Sequence, residues 1–131
     1  MDTSFARQWL RLEGLAVLAA SLLAFRATGF TWGWFVALFL APDLAMLGYL
    51  AGPRAGAWTY NLVHTYALAL PLALAGYATG VHVPLGVGVI WCAHIGFDRA
   101  LGYGLKSPEG FRFTHLGKIG HDKPLRPAEA G

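Results

Sequence analysis

Four long apolar runs, separated only by short polar breaks, constrain this chain more than any other feature. They lie at about residues 11–26, 30–50 (FTWGWFVALFLAPDLAMLGYL), 57–79 (AWTYNLVHTYALALPLALAGYAT) and 81–105 (VHVPLGVGVIWCAHIGFDRALGYGL). A bilayer core takes about 20 residues of helix. Runs two to four reach that length, and the first is short enough to need Arg11 and Arg26 snorkelling to the interfaces. Hydrophobic residues are 56% of the 131 and charged residues only 13%. A soluble domain carries about 25% charge, and one this small could not bury so much apolar surface. Alternation with period two is absent, which argues against a β-barrel. The expected fold is therefore all-α, a four-transmembrane-helix bundle over 1–105, followed by a polar basic tail over 106–131.

Charge sets the expected orientation. Arg7, Arg11, Arg54, Lys106, Arg112, Lys118, Lys123 and Arg126 fall on the side that holds both termini, against Arg26 alone opposite. Positive residues stay inside, so both termini are expected in the cytoplasm. The net charge of +3 is read as topology, and no basic stripe suited to nucleic acid is present. The first run is expected to be retained, because Arg26 and Thr28 stand where a signal-peptide cleavage site would need small residues. A single cysteine, Cys92, excludes an internal disulfide and a thiolate zinc cluster. Pro42 and Pro71 each remove a helix donor, so kinks are expected at both. The glycine pairs Gly29/Gly33 and Gly76/Gly80 have the spacing of close helix contacts.

The polar residues inside the runs carry the chemistry, because a charge near the bilayer centre costs about 2.5–3.5 kcal/mol on insertion scales. Asp43 lies seven residues before Leu50, His64 seven after Ala57, and Asp98 seven before Leu105. His94 sits one turn deeper than Asp98. At 1.5 Å per residue all four fall in one layer, about 10–16 Å from the cytoplasmic end. His94 and Asp98 share a helix face, being four apart. Two imidazoles and two carboxylates suit zinc, manganese or iron, and such an ion can activate water. Asp43, His64, His94 and Asp98 are thus candidate metal ligands and catalytic groups. Arg99, Lys106, Asn61, Tyr60 and His115 are candidate substrate-binding residues, and Arg99 is expected to turn toward Glu13. The competing reading for each residue is structural: an intramembrane ion pair for Asp98 and Arg99, neutral hydrogen-bonded rings for the histidines.

Two segments, APDLAMLGYLAGPRAGAWTYNLVHTY and WCAHIGFDRALGYGLKSPEGFRFTHLG, resemble a bacterial family known as domain of unknown function forty-two-sixty, over about residues 10 to 120. That resemblance implies a small multi-pass protein of the inner membrane and names no reaction. More loosely, Pro42-Asp43, His64-Thr65 and His94 with Asp98 resemble the membrane-bound metal-dependent hydrolases of the LexA-regulated type. The chain departs from them at Leu44, Ala45 and Met46, where those proteins place further Asp and His. The looser similarity implies hydrolysis of a lipid or another amphiphile. The alternative is a non-enzymatic membrane protein: proton, ion or small-solute transport, haem ligation by His64 and His94, or a structural or accessory role. Expected partners are the bilayer and a lipid-like substrate, with homo-oligomerisation left open.

Overall fold

The computed structural model describes residues 2–108, 110–114 and 117–118. It is helical through residue 101: α1 (Ser4–Thr28), α2 (Trp32–Phe39), a 3-10 segment (Ala41–Ala51), α3 (Pro53–Val63), α4 (Tyr66–Thr79) and α5 (His82–Leu101). Three short antiparallel strands follow, β1 (Lys106–Ser107), β2 (Gly110–Thr114) and β3 (Gly117–Lys118), in the order β1-β2-β3. Two stretches, Trp32–Ala51 (α2 with the 3-10 segment) and Pro53–Thr79 (α3 with α4), are long and apolar enough to cross a membrane.

Element boundaries differ from the apolar runs for identifiable reasons. α1 starts at Ser4, before the first run, because Arg7, Gln8 and Arg11 sit on exposed helix positions where charge does not oppose helix formation. It is 25 residues long, so the shortness read from its apolar run disappears. α5 ends at Leu101, where Gly102 takes φ 91°, the left-handed conformation that closes a helix and that glycine adopts without steric cost. At Pro42 the helix tightens instead of bending. Pro42 cannot donate to Leu38, and the chain continues as a 3-10 helix through Ala51, an unusually long stretch of that form. Pro71 does not interrupt α4. The interruption of that rod falls earlier, at His64–Thr65, where Thr65 is extended (φ −113°, ψ 152°).

α5 is the axis of the fold. Its residues from Gly86 to Asp98 are mostly buried, and α1 and α4 both pack along it. Phe25, Phe35, Ala73, Val89, Ile90 and Ala93 form the main core. The rings of Phe25, Phe35 and Phe39 are spaced 5.2 and 5.5 Å apart, a ladder that ends edge-on against His94 at 5.3 Å. Small residues set the closest approaches. A Cβ at Gly14 would stand 2.7 Å from the Gly96 carbonyl and 2.5 Å from Arg99 Cβ, and one at Gly96 would stand 2.8 Å from the Gly14 carbonyl. Of the glycine pairs read from spacing, Gly76 lies against Leu85, whereas Gly29 and Gly80 are helix caps and Gly33 has open space around it. α3 packs on the 3-10 segment, where Thr59 donates to the Ala45 carbonyl at 2.8 Å.

Because backbone is what a Gly14 or Gly96 side chain would meet, neither contact can relax by a rotamer change. Gly14→Val or Gly96→Val should therefore cost about 2–3 kcal/mol and lower the melting temperature in detergent. Gly33→Ala, whose nearest neighbour is Thr31 Oγ1 at 3.9 Å, should be neutral or stabilising by a few tenths of a kcal/mol.

Candidate metal centre

Three elements deliver the four polar side chains to one place. Asp43 follows Pro42 in the first turn of the 3-10 segment, its N–H bonded to the Leu40 carbonyl at 3.1 Å. His64 ends α3, and its ring lies flat on Tyr60, 3.7 Å between centroids and 6° between planes. His94 and Asp98 project from one face of α5. Nε2 of His64 stands 3.2 Å from Asp43 Oδ1, 3.5 Å from Asp98 Oδ2 and 3.1 Å from His94 Nε2. Nε2 of His94 stands 3.2 Å from Asp43 Oδ1 and 3.3 Å from Asp98 Oδ2. The two histidines and Asp98 are buried, while the Asp43 side chain is 36% exposed and forms the open edge.

Hydrogen bonding dictates what His64 offers. Its Nδ1 lies 2.8 Å from the Tyr60 carbonyl. A carbonyl only accepts, so Nδ1 carries the proton and the neutral ring turns the lone pair of Nε2 inward. That lone pair meets two carboxylate oxygens and a second imidazole nitrogen. Four electron-rich atoms so close repel one another unless positive charge joins them, and one shared proton bridges a single pair at a time. A tetrahedral ion with bonds of about 2.0–2.1 Å sets ligand-to-ligand edges of about 3.3–3.4 Å. Five of the edges here measure 3.1–3.5 Å, and all four atoms lie within 4.8 Å of one another. The donor set of two imidazoles and two carboxylates fits zinc, manganese or iron(II). The residues fit a metal.

The other candidate residues have different occupations. Asn61 holds the main chain of Lys106 at both ends of its amide, accepting from Lys106 N at 2.6 Å and donating to its carbonyl at 2.8 Å. This clamp docks β1 on α3 and brings Lys106 in, 4% exposed, with Nζ 4.9 Å from the centre of the Tyr60 ring. The stretch after residue 105 therefore contributes structure at the centre: β1 packs on α3. Arg99 does not pair with Glu13; its Nη2 donates to the His64 carbonyl at 2.9 Å and its Nη1 to the Tyr103 carbonyl at 3.0 Å. The physical reason is the interruption at His64–Thr65, which frees carbonyls that then need donors. The indole of Trp91 takes another, donating to the Val63 carbonyl at 2.6 Å. Trp91 is absent from the sequence reading, as is Phe39, whose ring holds His94. Spacing puts Trp91 three residues before His94 on α5, but the helix interruption that gives it a role has no proline or glycine to announce it. His115 lies outside the described residues.

The chain belongs to the family described as Domain of unknown function (DUF4260), whose model matches residues 7–119. No curated protein and no solved structure matches it, so the similarity to membrane-bound hydrolases gains no support from these comparisons.

Burial lowers the pKa of Lys106 to about 8, with Asp98 and Asp43 opposing the shift. Between about pH 8 and the ordinary lysine value of 10.5, the unfolded chain holds a proton that the folded chain has released, so stability rises with pH across that window. Below pH 8 the burial cost is constant and fully present. Melting in detergent should show wild type gaining on Lys106→Met as pH rises from about 8 to about 10, by at most about 1.4 kcal/mol per pH unit. A flat difference would mean that Lys106 is not desolvated.

Proposed function

We propose that the chain is a multi-pass protein of the bacterial inner membrane that holds a divalent transition metal through Asp43, His64, His94 and Asp98 and hydrolyses an amphiphile at the cytoplasmic side. The single observation that carries the metal is that five of the six ligand edges lie close to the tetrahedral value. α1, the rod of α2 with the 3-10 segment, the rod of α3 with α4, and α5 are the four spans, with both termini cytoplasmic as the Lys and Arg distribution requires. Such an ion would supply Lewis acidity and an activated water at neutral pH. The chain's own groups do the rest. Asp43, at the open edge, is placed to accept a proton from water entering there. The ammonium of Lys106, drawn by the fields of Asp43 and Asp98, attracts an anionic group on the substrate toward the same edge. Arg99 and Trp91 hold the main chain on either side of the His64 ring and so keep Nε2 aimed inward.

One observation favours a second reading. Four protein ligands complete a tetrahedron, and catalytic sites usually leave one position open. On that reading the ion is structural and locks the spans together, and the protein is not an enzyme.

Metal analysis of detergent-purified protein should find one equivalent of zinc, manganese or iron. His64→Ala or His94→Ala should lose it, with at least a tenfold fall in affinity, and Asp98→Asn should lose much of it. Absence of metal in wild type purified and reloaded under reducing conditions would overturn the proposal. Hydrolysis of a long-chain nitrophenyl ester, abolished by a chelator and by Asp43→Asn, separates the catalytic from the structural reading. In the structural case the chelator lowers the melting temperature and no hydrolysis is seen.

Topology has its own check. A C-terminal green fluorescent protein fusion should fluoresce, and a C-terminal alkaline phosphatase fusion should be inactive. Active phosphatase at that terminus would put the centre on the opposite side of the membrane.

A further inference from the structure

The face of α5 turned away from the metal centre carries a second site. Val89, Cys92 and Arg99 lie about 140–160° around α5 from His94, at 100° per residue. α1 and α4 both pack along α5, and between them runs a groove. Its membrane-interior part, a cavity of about 410 Å³, is lined by small and apolar groups including Ala20, Ala24, Leu70 and Ala73. It continues through Val17 and Tyr66, which line both parts, into a cavity of about 440 Å³ lined by Glu13 and Arg99. Both cavities are of ligand-binding size. The polar part lies near the end of α5, because Arg99 precedes the terminal Leu101 by two residues, so apolar lining meets hydrocarbon and polar lining meets the interface.

Three features of the polar part point to an occupant. The hydroxyl of Tyr66 is buried and has no hydrogen-bond partner among the described residues, a costly arrangement unless a ligand supplies one. Arg99 spends Nη1 and Nη2 on one carbonyl each, leaving Nε and a second proton on each terminal nitrogen. Glu13 lines the same cavity and forms no ion pair with Arg99 among the described residues. Arg99, Tyr66 and Glu13 thus line one space, which continues through Val17 and Tyr66 into the apolar part of the groove.

We infer that this groove binds a zwitterionic phospholipid carrying an amine headgroup, with the phosphate on Arg99 and the Tyr66 hydroxyl, the ammonium on Glu13, and one acyl chain between α1 and α4. The site uses none of the four clustered His and Asp side chains and no hydrolysis there; Arg99 alone touches both, through the His64 carbonyl. It requires only that the chain sits in a bilayer.

The test is native mass spectrometry of the full-length protein in detergent, titrated with 1-palmitoyl lysophosphatidylethanolamine or with the phosphatidylglycerol analogue of the same chain. Wild type should bind one ethanolamine lipid about tenfold more tightly than the glycerol lipid, which lacks a cation for Glu13. Glu13→Gln should remove that preference. Tyr66→Phe should weaken binding several-fold while leaving lipid-free melting unchanged, since the hydroxyl it removes has no partner among the described residues. Ala20→Phe should block the chain and abolish the adduct. If that variant melts early, the Tyr66 and Glu13 variants decide alone. Equal binding of the two lipids by wild type, or an unchanged adduct in Tyr66→Phe and Glu13→Gln, would overturn the inference. Metal content should be the same in all three variants, so loss of lipid with metal retained distinguishes this site from the metal centre.

Discussion

Two carboxylates and two imidazoles gathered within a few ångströms inside an apolar helix bundle repel one another, and the rest of this structure is arranged around that fact. The lone pair of His64 Nε2 cannot turn away, because the Tyr60 carbonyl fixes the proton on Nδ1 and the Tyr60 ring fixes the imidazole plane. His94 is held from the other side by the edge of Phe39. Side chains so restrained by neighbours have the preorganisation that a coordination site would require. A buried pair that only served packing would gain nothing from having its acceptors aimed at one another.

The interruption at His64–Thr65 is the local device that makes this geometry available. A continuous helix would carry the His64 ring wherever helical phase put it, and its carbonyl would bond four residues onward. Breaking the rod lets His64 cap α3 with its ring over Tyr60, and it exposes carbonyls that are expensive to leave unbonded away from water. Arg99 and Trp91, both on α5, satisfy the carbonyls of His64 and Val63. The same helix that contributes two of the four clustered side chains thus also steadies the ring of a third. The long 3-10 stretch after Pro42 is the matching irregularity in the preceding rod, and it places Asp43 at the open edge.

α5 is able to do this because its middle, from Gly88 to Gly96, is buried at every residue but the half-buried Trp91. Its glycines admit α1 at Gly96 and α4 at Gly88, where a Cβ would stand 2.5 Å from Ala73 N. With neighbours that close, its remaining faces are specialised: one carries His94 and Asp98 of the His/Asp cluster and the opposite one floors the groove between α1 and α4. The two polar ends of these sites share Arg99, which reaches the His64 carbonyl from one direction and borders the groove from the other.

Much of this was legible from residues alone. Apolar runs with sparse charge announce helices, and the equal depths of Asp43, His64, His94 and Asp98 announce a shared layer, because rise per residue is constant and a lone polar group in hydrocarbon is costly. The partner of Arg99, the clamp of Asn61 on Lys106, the docking of β1 on α3 and the place of Trp91 were decided only in three dimensions. So was the choice between Pro71 and His64–Thr65 as the point where the rod breaks. Each of these depends on which carbonyl is left without its helical donor and which distant side chain can reach it. Depth along a helix is a local quantity that spacing encodes. The partner of a freed backbone group depends on the approach of other helices, which is set by packing at places such as Gly14 and Gly96 and leaves no periodic trace in the chain.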